Sequence, residues 1–250
     1  MKKIILLIIL IFLILYFFSK LKKKEMYSQN INFKKELDFL KGKDVDIVCS
    51  GPSSIDIKLK TNIVICPNSA ILNKQIINNK NITLIWIVEH KYYSDESYQK
   101  KIDIILSKLN RDINYLYIKI RKNERRKIEK FKKRISNKSP NVIIQELDYS
   151  KQKYNFPTKY IKKNFFISSG IECINLGISK NVKKMYISGI EVDQNSKYIY
   201  NSEIGIAPRF NTALHINEDI KYINSLSYND LSKLVPIENS GLYKYLKYLK

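Results

Sequence analysis

The 250-residue chain carries 44% hydrophobic and 12% aromatic side chains, enough apolar surface to offset the entropy of ordering one sizeable domain, which excludes wholesale disorder. It shows no internal repeat, and three widely spaced cysteines, Cys49, Cys66 and Cys173, make neither a disulfide framework nor a CxxC metal knuckle. The formal charge of +22 arises from 45 basic against 23 acidic residues, but only six of the basic ones are Arg, so a general drift towards Lys accounts for it without a nucleic-acid partner.

An anionic membrane surface is the better partner, for a reason at the amino terminus. From Ile4 to Phe18 the chain reads IILLIILIFLILYFF without a charge, with Lys2 and Lys3 before it and Lys20, Lys22, Lys23 and Lys24 after it. At 1.5 Å per residue this run covers roughly 23 Å, and Ser19, Leu21 and snorkelling lysines extend it towards the roughly 30 Å of a hydrocarbon core. A cleaved signal peptide has an apolar run of similar length, but this one ends in the charged SKLKKKEM with no small-x-small site. The expectation is an uncleaved anchor over residues 1–24. More Lys follows the run than precedes it, which predicts a single-pass inner-membrane protein whose body faces the cytoplasm.

Residues 25–43 are polar with a Gly at position 42 and read as a linker or a short helix ending there. A domain spans 44–250. Short β-branched or aromatic runs recur in it, at Val45–Cys49, Ile63–Cys66, Ile82–Val88, Ile113–Ile118, Val142–Leu147 and Met185–Ser188. Between them Tyr98–Leu109 and Ile171–Ile178 carry apolar residues at helical spacing. Lys119–Lys138, the most basic stretch, predicts an amphipathic helix with Ile128, Phe131 and Ile135 on one side, resting on the core or facing an anionic leaflet. Strands alternating with helices predict an α/β fold, a mostly parallel Rossmann-like sheet with flanking helices, in which ligands sit at the carboxyl ends of strands.

Four such ends carry polar residues. After the first strand comes Ser50-Gly51-Pro52-Ser53, where hydroxyls and free N–H groups could cradle a phosphate, although the three-glycine dinucleotide fingerprint is absent. The second strand ends at Asn68. Ser168-Ser169-Gly170 opens a helix, and the strand Met185–Ser188 runs into Gly189-Ile190-Glu191-Val192-Asp193, followed by Tyr198 and Tyr200. Of the two histidines, His215 precedes the helical pattern Asn217–Ile220 in a segment too polar for core, and it is the candidate general base; His90 also lies at a strand end. Asp44-Val45-Asp46 has the Asp-x-Asp form of a metal site but precedes its strand and faces the wrong edge. Glu191 and Asp193 are the better carboxylates for a divalent cation.

In this order the elements resemble the bacterial sialyltransferases of glycosyltransferase family 42. Val48-Cys49-Ser50-Gly51-Pro52-Ser53 is similar to that family's opening Gly-Asn-Gly-Pro-Ser loop, and Ser168-Ser169-Gly170 with Tyr186-Ile187-Ser188-Gly189-Ile190-Glu191 to its Thr-Ser-Gly helix and Tyr-Leu-Ser-Gly-Ile-Asp strand. Glu238-Asn239-Ser240-Gly241-Leu242 is similar to its Pro-Asn-Ser-Leu-Leu segment. The resemblance implies a CMP-sialic acid donor, an inverting displacement with no metal and no cofactor, and a lipooligosaccharide-like glycan acceptor. It implies His215 as the base and Tyr198 as a tyrosine on the departing phosphate. Gly51, Asn68, Ser168, Ser169 and Glu191 fall at donor-binding positions, and Ser50, Pro52, Ser53, Gly170, Gly189 and Asp193 lie in the same blocks. Ser50 stands where the family has Asn, Phe166 where it has Arg, and Asp193 where it has the first of two tyrosines. A metal-dependent transferase using Glu191 and Asp193, and a non-catalytic membrane-surface binding protein, are the alternatives.

Overall fold

The structure is a computed structural model that describes residues 16, 37–89, 95–121, 125–138, 140–147, 167–193, 199–200 and 213–248. The chain divides into two units, Met1–Phe39 and Leu40–Lys250. Of the first, only Tyr16 and residues 37–39 are described, so the anchor expected over 1–24 lies outside the described residues but for Tyr16. Among the described residues no helix is long and apolar enough to cross a membrane.

Among the described residues the second unit is built on seven strands: β1 (Asp44–Val48), β2 (Ile63–Pro67), β3 (Thr83–Val88), β4 (Tyr115–Arg121), β5 (Asn141–Leu147), β6 (Lys184–Ser188) and β7 (Leu234–Pro236). They form one sheet in the order β5-β4-β3-β2-β1-β6-β7, and every pairing is parallel. The helices are α1 (Lys74–Ile77), α2 (Glu96–Lys108), α3 (Arg125–Ile135), α4 (Ser169–Ser179), α5 (Ala213–Asn224), α6 (Tyr228–Leu231) and α7 (Gly241–Tyr248). The Rossmann-like α/β arrangement expected from the strand and helix alternation is present.

Consecutive residues of β1, β2 and β3 are buried after the first position of each, so both faces of the sheet are covered. On one face Val64, Cys66, Leu84, Trp86, Leu116 and Ile118 form a core with Ile102, Ile105 and Leu106 of α2. Ile128, Phe131 and Ile135 of α3 complete that core, so the apolar stripe of the basic helix faces inward. Its start differs from the sequence expectation. Residues 119–121 belong to β4, because Lys119, Ile120 and Arg121 continue the ladder opposite Gln145, Glu146 and Leu147. Cross-strand pairing extends the strand past the point where the charge pattern reads as helix.

Helix α4 packs on β1 and β2. Gly177 permits its close approach to β6, since a Cβ there would lie 2.5 Å from Met185 Sδ. Tyr222 of α5 donates through its hydroxyl to Asn175 Oδ1 of α4 at 3.0 Å, both side chains being buried.

Strand order fixes where chemistry can sit. The chain steps outward from β1 to β5 and then returns to the other side of β1 for β6. The carboxyl ends of β1 and β6 therefore flank the topological switch point, the usual ligand crevice of a doubly wound sheet.

Candidate functional site

Three turns meet at the switch point. Backbone bonds carry the β1–β6 ladder past its end, Cys49 N–H to Ser188 O and Gly51 N–H to Gly189 O, each at 2.9 Å. Gly189 N–H then donates to Ser53 Oγ at 2.9 Å, and Ser53 N–H donates to Glu191 Oε1 at 3.1 Å. Gly189 adopts φ +72°, and a Cβ there would lie 2.3 Å from Cys49 O. A Cβ on Gly51 would lie 2.7 Å from both Gly189 O and Glu191 Cγ. The missing side chain of Gly51 is thus used by the β6 loop. Gly170, at the start of α4, is buried beside the same two turns, where a Cβ would meet Ile190 at 3.1 Å and Cys49 Sγ at 3.2 Å.

Glu191, read from sequence as a donor or cation ligand, spreads its carboxylate over two backbone donors: Ser53 N–H, and Gly241 N–H at the start of α7 at 2.5 Å. It joins the β1 turn, the β6 turn and α7. Ser50 is buried and its carbonyl accepts Ile199 N–H at 2.8 Å, Pro52 is exposed, and Asp193 is exposed. Tyr198 and His90 lie outside the described residues. Among the described residues no three His, Cys, Asp or Glu side chains gather as a metal centre requires. Asp46 lies within β1, where it accepts Lys60 N–H at 3.0 Å and Thr61 N–H at 2.7 Å; burial raises its carboxyl above the ordinary value against the pull of those bonds.

Asn68 follows β2 with φ +47°. Its Nδ2 donates to Ser169 Oγ at 3.3 Å, its Oδ1 accepts Glu89 N–H at 3.0 Å, and its carbonyl accepts Trp86 Nε1–H at 2.8 Å. The Ser169 hydroxyl in turn donates to Glu89 Oε1. Asn68, Glu89 and Ser169 therefore close a ring across the ends of β2 and β3 and the start of α4. Glu89 was not among the sequence candidates, although its place directly after β3 is the signal that marks such a position.

Ser168 caps α4, its Oγ accepting Ile171 N–H at 3.3 Å. Its own N–H donates to Asp219 Oδ1 at 2.7 Å. Asp219 is 2% exposed and sits on α5 one turn after the half-buried His215. His215 thus lies within the helix and not before it as the sequence pattern suggested, because Ala213 and Leu214 continue the helical run backwards. Burial pushes the Asp219 carboxyl up from 3.8 to about 6, with Ser168 and the nearby charge of His215 pulling the other way. Helical spacing between His215 and Asp219 was the signal available in the sequence.

A further buried network supports the β1 turn. Asn73 Nδ2 donates to Ser54 O at 2.6 Å and to the Tyr200 hydroxyl oxygen at 2.7 Å, and Ser54 Oγ donates to Gly51 O at 2.8 Å. Through Tyr200 it fixes the chain that follows residues 194–198.

The sequence matches no protein-family profile and no curated protein. Among solved structures it is similar to a variant of the sialyltransferase CST-II in complex with CMP, with a TM-score of 0.50 at 19% identity over 81% of this chain and 85% of that one. This chain shares its fold with the sialyltransferase CST-II. Sialyltransferase CstII from Campylobacter jejuni with the substrate analogue CMP-3FNeuAc aligns over 81% of this chain and 84% of its own, at 18% identity and a TM-score of 0.48. An α-2,3-sialyltransferase from the same organism in apo form gives 15% identity and a TM-score of 0.46 over 81% and 78%. At 19% identity the likeness to the CST-II variant is one of fold.

Proposed function

We propose that the chain is a membrane-anchored, inverting and metal-independent sialyltransferase that moves sialic acid from CMP-sialic acid to a lipooligosaccharide-like glycan. In this reading residues 1–24 are the single-pass inner-membrane anchor, 25–43 the linker, and 44–250 the catalytic domain on the cytoplasmic side, where nucleotide sugars and lipid-linked acceptors meet. The observation that carries it is the 2.7 Å bond from Ser168 N–H to Asp219, which brings the helix of His215 to the start of α4, itself lying against the β1 and β6 turns. Supporting it are the CST-II fold and the CMP held by the CST-II variant of that fold.

In the reaction His215 takes the proton of the acceptor hydroxyl as that oxygen attacks the anomeric carbon. The bond to the phosphate of CMP breaks on the opposite face, and the configuration inverts. Asn68, Ser168, Ser169, Gly170, Glu191, Asp193 and the turn Ser50–Ser53 with Gly189 surround the donor, the positive end of α4 favours its phosphate, and Tyr198 donates to the departing group. A monophosphate leaving group needs less neutralisation than a diphosphate, so hydroxyl and N–H donors serve in place of a cation. Glu191 supports this, because both of its oxygens already accept backbone N–H groups.

The test is transfer by the full chain in detergent, using CMP-sialic acid and lactosides with and without a chelator. Transfer that persists under chelation is expected, and His215→Ala should abolish it while leaving CMP affinity within about twofold. Absence of both transfer and donor hydrolysis overturns the reading, and activity lost on chelation turns it towards the metal-dependent alternative. Extraction of the membrane fraction at alkaline pH checks the anchor: release of the intact chain argues against a spanning segment.

A further inference from the structure

Asp219 is buried, yet its capping bond to Ser168 N–H needs only a neutral acceptor. A buried carboxylate without a charged partner is expensive, and Asn would supply the same oxygen without that expense. The charge therefore has another partner. His215 lies four residues earlier on α5, and side chains four apart on a helix share a face, with Cβ atoms roughly 6 Å apart. Among the described residues, the ionisable groups around Asp219 are His215 and Glu218 on its own helix; from α4 it meets the N–H and hydroxyl of Ser168 at the positive end of that helix, whose first turn also carries Glu172. Among these His215 alone can become a cation.

We infer that Asp219 is a positioning residue for the base: its ionised carboxylate holds the imidazolium that His215 becomes on taking the acceptor proton, and ties that ring to the start of α4. The inference rests on the reading of His215 as the base. The balance is simple. The acceptor O–H bond breaks and its proton moves to the imidazole; the electron pair left on oxygen forms the new glycosidic bond as the bond from the anomeric carbon to the phosphate of CMP breaks and CMP leaves with the pair of that bond; the proton on His215 later passes to solvent. Asp219 stays ionised throughout and gives up no proton. Because burial pushes its carboxyl up to about 6, its charge is lost in mildly acid solution, so the acid side of the activity profile reports Asp219.

Two measurements test it. The first needs no donor. The Asp219 carboxyl is titrated by carbon NMR in the full chain and in His215→Ala, and removing the cation should raise the Asp219 midpoint. An unchanged midpoint overturns the pairing. The second compares kinetics. Asp219→Asn keeps an acceptor for Ser168 N–H and removes only the charge, so kcat should fall roughly ten- to a hundredfold while the donor KM and CMP affinity stay within about twofold. The acid limb of its pH profile should move, and Asp219→Glu should restore part of kcat. A kcat within twofold of the parent overturns the inference, as does a loss of kcat that merely follows loss of CMP affinity and thermal stability. If the full chain turns over no donor, the functional reading fails, and the titration alone decides whether the two side chains are coupled.

Discussion

At the scale of single residues, two glycines with almost the same backbone angle make opposite demands. Gly42 (φ +70°) and Gly189 (φ +72°) both occupy the left-handed region, where an L side chain costs roughly 1–2 kcal/mol. Around Gly42 nothing lies within 4 Å of an added Cβ, whereas at Gly189 that atom would lie 2.3 Å from Cys49 O, a backbone atom of the turn that follows β1. Gly42→Ala should therefore lower stability by about 1 kcal/mol. Gly189→Ala should lower it by about 3 kcal/mol or more, because the backbone of the switch point must move. Urea unfolding of the two variants separates the cases, and equal losses would show that the Cys49 contact is relaxed without strain. The same reasoning explains why the Gly of Ser50-Gly51-Pro52-Ser53 was legible as a small-residue turn while its reason was not: its neighbours, Gly189 and Glu191, lie about 140 residues away in the chain.

At the scale of elements, α3 shows how composition misleads and periodicity does not. Its charges suggest a membrane or polyanion face, yet Ile128, Phe131 and Ile135 are almost fully buried in the core that they share with α2. Phe131→Ala should cost about 3–5 kcal/mol, and Lys130→Ala or Lys133→Ala, both on the exposed side, less than about 0.5 kcal/mol. Urea midpoints that do not separate in this way would place the apolar stripe elsewhere. Central strands and long helices were readable from runs such as Ile82–Val88 and from the apolar spacing of Tyr98–Leu109, since those patterns are local. Strand β7 was not: Leu234–Pro236 is three residues long, has no alternation to detect, and exists because Met185–Ile187 offer it a parallel partner. The site followed the same division. Ser168 at a helix start is a local signal, whereas the ring of Asn68, Glu89 and Ser169 and the network of Ser54, Asn73 and Tyr200 depend on crossovers that bring distant strand ends together.

For the whole molecule, the buried carboxyls set the direction in which stability changes with pH. Asp219, pushed up to about 6, and Asp46, also raised by burial, bind protons more tightly in the folded chain than in the unfolded one. Between about pH 4 and pH 6 the native state therefore holds more protons, and folding stability falls as pH rises through that window. For Asp219 alone the fall is about 3 kcal/mol, at about 1.4 kcal/mol for each tenfold difference in proton affinity. A net charge of +22 adds its own pH-dependent self-repulsion, so the parent curve alone does not isolate this contribution. The difference between parent and Asp219→Asn does, because the rest of the charge is common to both. Measured by urea unfolding from pH 4 to pH 7, Asp219→Asn should gain on the parent steadily, by up to about 3 kcal/mol at the top of the range, while losing turnover. A variant made more stable and less active at the same pH is the signature of a charge kept for positioning at the expense of stability. A flat difference across the range would mean that Asp219 ionises as readily in the folded chain as in the unfolded one, so that its partners fully offset burial and the charge costs no stability.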